Sequence, residues 1–294
     1  MLQKIDRGIL LMLLSSLTFA VMGGAAKILA ESLPPLEVTF FRNIFGVAII
    51  LTALFAKPSN NKGGKPLLLF FRGFIGFLAL LAYFYIMAHI PLGVAVTYNK
   101  TSPLFLAFFA WLFLGEKLPR KALLALIFGF IGIVLIAKPD GFSLSKYDLL
   151  GIFSGIGAAL AYTSIRELKN YYDTRTIALS FMGVGTIGPI ILMGIAEFIT
   201  VPNELDFLLS KFVMPSGIDW IYIVIVGVMA TISQLLMTKA YSLTKAGIVG
   251  TITYTQILFA VIIGTALGDI FPDIYTILGM ICITVAGILV VMRK

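Results

Sequence analysis

The sequence is poor in charged residues. Asp, Glu, Lys and Arg make up only 12% of its 294 residues, whereas soluble domains contain about 25%. Aliphatic, aromatic and other hydrophobic residues make up 60% of the chain. This composition cannot build a water-soluble surface around a core, so the lipid bilayer is the solvent in which the chain is expected to fold.

Cysteine and histidine are almost absent. The single cysteine, Cys282, excludes an intrachain disulfide, and the single histidine, His89, excludes the common histidine-rich metal sites. The sequence also lacks the P-loop of ATP-binding proteins, the His-Glu-x-x-His zinc motif and the serine elbow of hydrolases. We therefore expect neither an enzyme nor an ATP-driven pump, and no metal ion or other cofactor.

The hydrophobic residues form long runs that are separated by turn-forming residues. A helix needs about 20 apolar residues to cross the hydrocarbon layer. Ten segments meet this length, at about 8–29, 36–56, 66–88, 92–115, 120–138, 148–168, 175–197, 217–238, 246–267 and 273–292. The short alternating segments of a membrane β-barrel are absent. The pattern predicts an all-α polytopic membrane protein with ten transmembrane helices.

The basic residues predict the orientation of the chain. With the N-terminus in the cytoplasm, most of the 22 basic residues, Arg72 among them, and few of the 14 acidic residues lie in inner loops or at inner helix ends. This distribution follows the positive-inside rule, and it explains the net charge of +8 without a nucleic-acid partner. We expect a multi-pass protein of a bacterial inner membrane with both termini in the cytoplasm.

A short pattern recurs in the second half of the chain. Gly115-Glu116 followed by Pro119 returns 153 residues later as Gly268-Asp269 followed by Pro272. The two five-helix repeats that we predict span residues 1–140 and 141–294. Because each repeat has an odd number of crossings, the second must be inverted relative to the first. Inverted repeats are typical of secondary transporters, whose substrate sites lie near the membrane midplane between the repeats.

Several strings resemble motifs of a known family. They are Glu37-Val-Thr-Phe-Phe-Arg-Asn-Ile-Phe-Gly46, Ile90-Pro-Leu-Gly-Val-Ala95, Thr101-Ser-Pro-Leu-Phe105, Leu114-Gly-Glu-Lys117 and Tyr254-Thr-Gln256. The sequence resembles the drug/metabolite transporter superfamily, in its EamA-type ten-helix branch, over nearly its whole length. This resemblance implies a metabolite carrier whose cavity is lined by spans one, three, four, six, eight and nine. The nearest subgroup resembles S-adenosylmethionine uptake carriers.

A lysine inside the fourth span is the sharpest candidate for substrate binding. Lys100 lies eight residues into this span, ~12 Å below its outer end. A charge at the bilayer centre costs about 2.5–3.5 kcal/mol on insertion scales, so it usually faces a cavity or a partner. Pro103 frees a backbone carbonyl nearby. We expect Lys100, beside Asn99, to bind a substrate carboxylate; the alternative is a lysine that reaches the outer surface along its apolar stem.

Two further basic residues lie inside predicted spans. Arg42 lies about two turns into the second span, where the family motif has an arginine, and either a structural salt bridge or a substrate contact would explain it. Lys27 lies near the outer end of the first span and is expected to extend to the outer surface. No span carries an acidic residue near its centre. This absence counts against proton-coupled export of cationic drugs through a membrane carboxylate.

Aromatic and amide side chains on the cavity-lining spans complete the candidate site. They are Tyr83 and Tyr85 in span three, Tyr98 in span four, Tyr162 in span six, Gln234 in span eight, and Tyr254 and Gln256 in span nine. Each could hydrogen-bond a ligand; hydrogen bonds between helices are the alternative. The glycine pairs Gly151/Gly155 and Gly264/Gly268 predict close helix contacts within the bundle, with a homodimer as the alternative.

These features favour a secondary transporter that moves a small carboxylate-bearing metabolite, an amino acid or amino acid derivative, by alternating access. An S-adenosylmethionine carrier is one alternative. That ligand also has a sulfonium and an amine, so it would need an aromatic or acidic partner beside the lysine. A channel or structural membrane protein is the alternative of a different class. The expected partners are a small-molecule substrate and the lipid bilayer.

Overall fold

The computed structural model describes residues 2–59, 61–114, 120–137, 144–199, 206–243 and 252–291. Within these ranges the chain forms eleven α-helices and no β-strand. The helices are α1 Leu2–Leu29, α2 Pro35–Ala56, α3 Pro66–His89, α4 Leu92–Asn99, α5 Ser102–Leu114, α6 Arg120–Ala137, α7 Lys146–Leu168, α8 Thr174–Ile195, α9 Asp219–Leu243, α10 Thr255–Ala266 and α11 Ile274–Val291.

Six of these helices, α1, α2, α3, α7, α8 and α9, are long and apolar enough to cross a membrane. Shorter apolar stretches occur in α6, α10 and α11. The chain is therefore an all-α polytopic membrane protein, as its composition predicts. The count of ten spans stays a prediction, because the fourth span is divided between α4 and α5. Residues 246–251 of the ninth span and the motif at 115–119 also lie outside the described residues.

Local sequence explains where several helices begin. Helices α2 and α3 each begin with a proline at the first helical position. An N–H at this position would have no partner within the helix, so its absence in proline leaves the helix intact. Ser145 and Asp148 form a reciprocal capping box at the start of α7. Asp173 caps α8 by accepting from the N–H of Arg175. The hydrogen bonds from Arg175 also lower the pKa of Asp173, because they stabilise its charged form.

The helices pack closely through glycine. The most extensive contacts between helices pair α1 with α9, α3 with α7, α2 with α8, and α6 with α11. A Cβ atom added to Gly132 of α6 would lie 2.8 Å from the carbonyl oxygen of Gly279 of α11. A Cβ atom at Gly151 would lie 2.6 Å from the Tyr98 ring, and one at Gly155 would overlap the Thr101 hydroxyl. Small residues thus allow close backbone approach, as is typical of membrane helices.

Polar contacts between helix termini define two ends of the bundle. The distal end holds the C-terminus of α1 and the N-terminus of α9, where the Ser32 hydroxyl donates to Asp219 at 2.6 Å. The proximal end holds the N-termini of α3 and α8, where the Asn61 amide donates to the Thr176 hydroxyl at 3.0 Å. Both contacts join residues that lie far apart in the chain.

Candidate substrate site

The fourth predicted span is interrupted at Lys100 and Thr101, between α4 and α5. Pro103 has no N–H with which to reach the Asn99 carbonyl. The N–H of Leu104 donates to the Thr101 carbonyl at 2.9 Å, so it does not close the usual helical bond to Lys100. The carbonyl groups of Asn99 and Lys100 are therefore released from the helix. Broken membrane helices expose such groups where they line a substrate or ion site.

A second interruption precedes α10. Thr253 and Tyr254 form a turn, and the N–H of Ile257 donates to the Tyr254 carbonyl at 3.0 Å. This bond corresponds to the one between Leu104 and Thr101, because both of its residues lie 153 positions further along the chain. The ninth predicted span thus departs from a regular helix at the position equivalent to Lys100.

The two interruptions contact each other. The Tyr254 hydroxyl donates to the Lys100 carbonyl oxygen at 3.4 Å. The Tyr254 ring is buried against Gly287 of α11, where a Cβ atom would overlap the phenol. Glycine at this position therefore leaves the space through which the ring reaches α4. One of the carbonyl groups released near Pro103 is in this way bonded to the second interruption.

The Lys100 side chain is largely enclosed, and its ammonium has no carboxylate or hydrogen-bond partner among the residues that the structure describes. The neighbouring Asn99 amide donates to the Ser154 hydroxyl of α7 at 3.3 Å. This bond ties the first interruption to a helix of the second predicted repeat. The interruption therefore lies beside α7, which the sequence analysis assigns to the second repeat.

Two of the predicted site tyrosines have hydroxyl groups that are engaged at the distal end. Tyr98 is fully buried, and its hydroxyl donates to Asp148 at 2.6 Å. The Tyr85 hydroxyl accepts a hydrogen bond from the Lys146 ammonium at 2.9 Å. Tyr83 is buried in α3, two residues before Tyr85. Tyr98 and Tyr85 therefore attach α7 to the rest of the distal end.

Arg42 has no carboxylate partner within the described ranges, which excludes the structural salt bridge there. One of its terminal nitrogens donates to the Asn43 side chain at 2.9 Å, and Asn43 in turn donates to the Gly185 carbonyl of α8 at 3.2 Å. The Arg42 guanidinium lies 5.6 Å from the centre of the Phe181 ring. Asn43, which follows Arg42 in the family motif, thus positions it against α8.

Arg72 is a candidate that the sequence analysis missed. Its guanidinium lies 4.9 Å from the centre of the same Phe181 ring, and only 8% of the residue is exposed. The sequence analysis counted Arg72 with the inner positive charges. Its position six residues inside α3 is the signal that could have singled it out. Phe181 carries no such signal, because aromatic residues are common throughout the chain.

The remaining predicted site residues are dispersed. Tyr162 of α7 is 49% exposed and lies six residues from the end of its helix. Gln256 is buried just after the second interruption, beside Tyr254. Gln234 is exposed on α9. The structure thus brings Asn99, Lys100 and Tyr254 together directly, and it places Arg42 against Phe181 of α8 instead.

Lys27 does not extend freely to the surface, so that expectation was wrong. Its ammonium lies 2.5 Å from one oxygen of Asp269 and donates to the Ile90 carbonyl at 2.9 Å. The second oxygen of Asp269 accepts from the N–H of Leu92 at 2.7 Å. This pair caps α4, whose N-terminus has no other side-chain cap. Lys27 is therefore a paired residue of the distal end.

A second ion pair lies nearby, between Lys146 and Asp206. Burial raises the pKa of Asp206, but hydrogen bonds from Lys146 and Tyr85 outweigh burial, so the pKa lies below its ordinary value. The Asp206 carboxylate is therefore charged at neutral pH and available to hold Lys146. Lys27 and Lys146 thus have acidic partners, whereas Lys100 has none among the residues that the structure describes.

The apolar helices, the interrupted span and an interior lysine without an acidic partner in the described ranges are together typical of a polytopic membrane transporter. The chain belongs to the EamA-like transporter family, which it matches over residues 6–138 and 145–293. Transporters of this kind move small molecules across a lipid bilayer and are not enzymes.

Similar proteins extend over almost the whole chain. An uncharacterized transporter of Helicobacter pylori is 34% identical, covering 96% of this chain and 94% of its own. The pseudopaline exporter CntI of Pseudomonas aeruginosa is 35% identical, covering 98% and 96%. An S-adenosylmethionine uptake transporter of Rickettsia felis is 23% identical, covering 96% and 90%. A crystal structure with 17% identity and a TM-score of 0.53 covers 98% of this chain and 94% of its own, and supports the fold.

Proposed function

We propose that this transporter moves a small metabolite that bears a carboxylate, with an amino acid or amino acid derivative as the best class. The observation that carries the proposal is the Lys100 ammonium, which lies at the first interruption without an acidic partner in the described part of the chain. A charge inside the bilayer costs about 2.5–3.5 kcal/mol on insertion scales. A substrate carboxylate would supply the opposite charge during transport.

Lys27 provides an internal comparison for this argument. It also lies inside a membrane helix, and it is paired with Asp269 at 2.5 Å. A lysine that only stabilises the bundle is expected to have such a partner, because an unpaired buried charge is unfavourable. The difference between Lys27 and Lys100 therefore favours a ligand for Lys100.

The released backbone carbonyl groups suit the amino group of the same substrate. The Asn99 carbonyl has lost its helical donor. The Lys100 carbonyl accepts a long hydrogen bond, of 3.4 Å, from the Tyr254 hydroxyl. Carbonyl oxygens accept hydrogen bonds, so they would stabilise a substrate ammonium and disfavour a second carboxylate in the same place. In this proposal Lys100, Asn99 and Tyr254 contact the substrate.

Alternating access requires that the protein opens at one end while it is closed at the other. We propose that the two five-helix repeats move relative to each other around Lys100, in a bacterial inner membrane with the proximal end facing the cytoplasm. Contacts between the proposed repeats occur at both ends, at Asn61 and Thr176 on the proximal side and at Ser32 and Asp219 on the distal side. Opening at one end would break the contact at that end and leave the contact at the other end intact.

Transport assays with the purified protein in proteoliposomes test this function. A panel of labelled amino acids, amino acid derivatives and S-adenosylmethionine is offered, and saturable uptake and counterflow are measured. Lys100→Met is expected to raise KM at least about tenfold for every anionic or zwitterionic substrate, because it removes a charge-assisted contact. Lys169→Met, an exposed lysine at the end of α7, serves as the matched control.

Two results would overturn the proposal. Unchanged KM in Lys100→Met for all carboxylate-bearing substrates would remove the role given to this residue. Conductance without saturation or counterflow would make the protein a channel. A thermal-shift screen with the same panel gives an independent reading, because a ligand at 100 times its dissociation constant stabilises by about 2.7 kcal/mol.

An S-adenosylmethionine carrier is the second candidate, supported by the relative of that name in Rickettsia felis. This substrate also has a carboxylate and an amine, so it could use the same Lys100 contact. Its sulfonium would need an acidic or aromatic partner, and Tyr254, whose hydroxyl donates to the Lys100 carbonyl, is an aromatic residue beside the first interruption. Competition between S-adenosylmethionine and neutral amino acids for uptake separates the two candidates.

A further inference from the structure

Two arginines converge on one aromatic ring in the proximal half of the bundle. The guanidinium groups of Arg72 and Arg42 lie 4.9 Å and 5.6 Å from the centre of the Phe181 ring. Arg72 lies six residues from the proximal start of α3, Phe181 seven residues from that of α8, and Tyr162 six residues from the proximal end of α7. At 1.5 Å per residue, all three lie ~9–10 Å inside the bundle.

The Arg72 side chain points away from the nearest membrane surface. A cation near a helix end normally extends toward the closest interface, and side chains normally lean toward the N-terminus of their helix. Arg72 leans the other way, over Gly76, where an added Cβ atom would lie 2.5 Å from its Nη1 atom. The absence of a side chain at Gly76 is what makes room for this conformation.

Neither arginine has an acidic partner among the described residues. The Nε atoms of Arg42 and Arg72 are both buried without a hydrogen-bond partner there. Arg42 uses Nη1 to contact Asn43, while Arg72 has no protein acceptor in that part of the chain. Two unpaired guanidinium groups repel each other, and an enclosed pair of this kind is stabilised by an anion that accepts from both.

The surroundings supply the other features of an anion site. Tyr162 lies at the same depth, six residues from the proximal end of α7, and its hydroxyl is a hydrogen-bond donor. The four residues come from α2 and α3 on one side and from α7 and α8 on the other, so the cluster spans the two proposed repeats. We name Arg42, Arg72, Tyr162 and Phe181 the arginine cluster.

We propose that the arginine cluster is a second anion site, which holds the carboxylate of the transported metabolite on the proximal side of Lys100. Arg42 and Arg72 bind the carboxylate oxygens, Tyr162 donates to it, and Phe181 keeps the two guanidinium planes in place. The substrate carboxylate would then pass between Lys100 and the arginine cluster during transport. This inference rests on the proposed function for the identity of the anion, whereas the anion site itself can be tested without transport.

The first test uses thermal unfolding of the purified protein in a neutral detergent, with succinate and inorganic phosphate as probes. The Tm of the wild-type protein is expected to rise with either anion, and the rise is expected to vanish in Arg72→Met. Arg72→Met should also raise the Tm in the absence of these anions, because it removes an uncompensated buried charge. Lys62→Met, in the exposed loop before α3, is the matched control.

Two further variants keep the result interpretable if Arg72→Met does not fold. Gly76→Ala retains both charges but displaces the Arg72 guanidinium, and Arg72→Lys retains the charge but loses the planar fork that binds a carboxylate through two bonds. Both are expected to lose most of the anion-dependent rise in Tm. The Arg72 and Gly76 variants test the arginine cluster through the anion-dependent Tm, whereas Lys100→Met tests the Lys100 proposal through the KM of transport, so the two proposals can fail separately.

Three outcomes would overturn the inference. One is an anion-dependent rise in Tm that is the same in Arg72→Met and the wild-type protein. Another is a lower Tm in Arg72→Met with no anion effect in any variant, because this would make the two arginines structural links to Phe181. The third is a rise with phosphatidylglycerol but with neither soluble anion, which would assign the cluster to a lipid headgroup. In proteoliposomes, Arg72→Lys is expected to raise KM about tenfold for substrate offered at the proximal side.

Discussion

At the scale of single residues, one ion pair joins four segments of the distal end, because Asp269 itself follows α10. Asp269 binds the Lys27 ammonium of α1 and the Leu92 N–H of α4, while Lys27 also reaches the Ile90 carbonyl at the end of α3. The side chains of Lys27 and Asp269 are 19% and 10% exposed, so water competes little with their contact. We therefore expect removal of either partner to destabilise the distal end, because it leaves the other charge uncompensated.

A double-mutant cycle tests the Lys27–Asp269 pair. Lys27→Met and Asp269→Asn should each lower the Tm, because each leaves a partly buried charge without its partner. The free energy of unfolding should fall less in the double variant than the sum of its falls in the two single variants, with a coupling of about 0.5–3 kcal/mol. Lys65→Met and Glu167→Gln, an exposed pair at 2.6 Å on the proximal side, form the matched control cycle and should show a smaller coupling. Additive effects at Lys27 and Asp269 would contradict the prediction.

Single residues also show what sequence reasoning can and cannot find. Depth inside an apolar segment was enough to single out Lys100 and Arg42. Arg72 lies six residues inside α3, but its position near the inner end of the span groups it with the inner positive charges in the sequence. The partner of Lys27 could not be foreseen, because nothing local indicates that Asp269 comes to lie beside α1. Long-range pairs of this kind depend on helix packing, which a single sequence does not reveal.

At the scale of helices, the interruptions are the features that organise the candidate site. Pro103 in the first interruption explains one break by its missing N–H. The second break occurs at Thr253 and Tyr254, where Gln256 replaces the proline and retains an N–H, which donates to the Thr253 carbonyl at 3.2 Å. A residue-by-residue analysis predicts only the first break. The 153-residue spacing was the available signal for the second.

Most helices could be predicted because long apolar runs and turn residues are strong local signals. The predicted spans at about 36–56, 66–88 and 175–197 correspond closely to Pro35–Ala56, Pro66–His89 and Thr174–Ile195. The division of the fourth span could not be predicted from apolar character, because the segments on both sides of Lys100 are apolar and together have the length of one span. Hydropathy measures how well a segment fits the bilayer, and it is insensitive to a local change in hydrogen bonding.

Pro103→Ala tests whether the first interruption is needed for transport. The new N–H can donate to the Asn99 carbonyl, so α5 should extend toward α4 and the released carbonyl group should be lost. We expect the transport rate to fall roughly tenfold while the Tm rises or stays unchanged. Pro189→Ala is the matched control, because Pro189 lies inside α8 and away from Lys100. Normal transport by Pro103→Ala would contradict a role for the interruption.

At the scale of the whole molecule, the helix contacts occur in pairs that two inverted repeats would produce. Under the predicted repeat, α1 corresponds to α7 and α9 corresponds to α3, and the contacts of α1 with α9 and of α7 with α3 are both extensive. The contacts of α2 with α8 and of α6 with α11 each join equivalent helices. Such an arrangement supports two states of similar energy, in which the two ends exchange roles.

Reversible cross-links at the two ends test this movement directly. In a Cys282→Ser background, the pairs Asn61→Cys with Thr176→Cys and Ser32→Cys with Asp219→Cys each join the proposed repeats, at the proximal and the distal end. A short bifunctional thiosulfonate applied to either pair should abolish transport, and a reducing agent should restore it, because opening of each end is required in every cycle.

The control cross-link lies within one repeat. Glu197→Cys with Lys211→Cys replaces an exposed pair 3.3 Å apart, and both residues belong to the second predicted repeat. A cross-link here should leave transport nearly unchanged, because the two positions move together in any rocking motion. Transport that survives cross-linking at both ends between the repeats would exclude their relative movement as the transport step. Loss of transport at one end only would instead restrict the moving region to that end, and a local gate would then replace the motion of whole repeats.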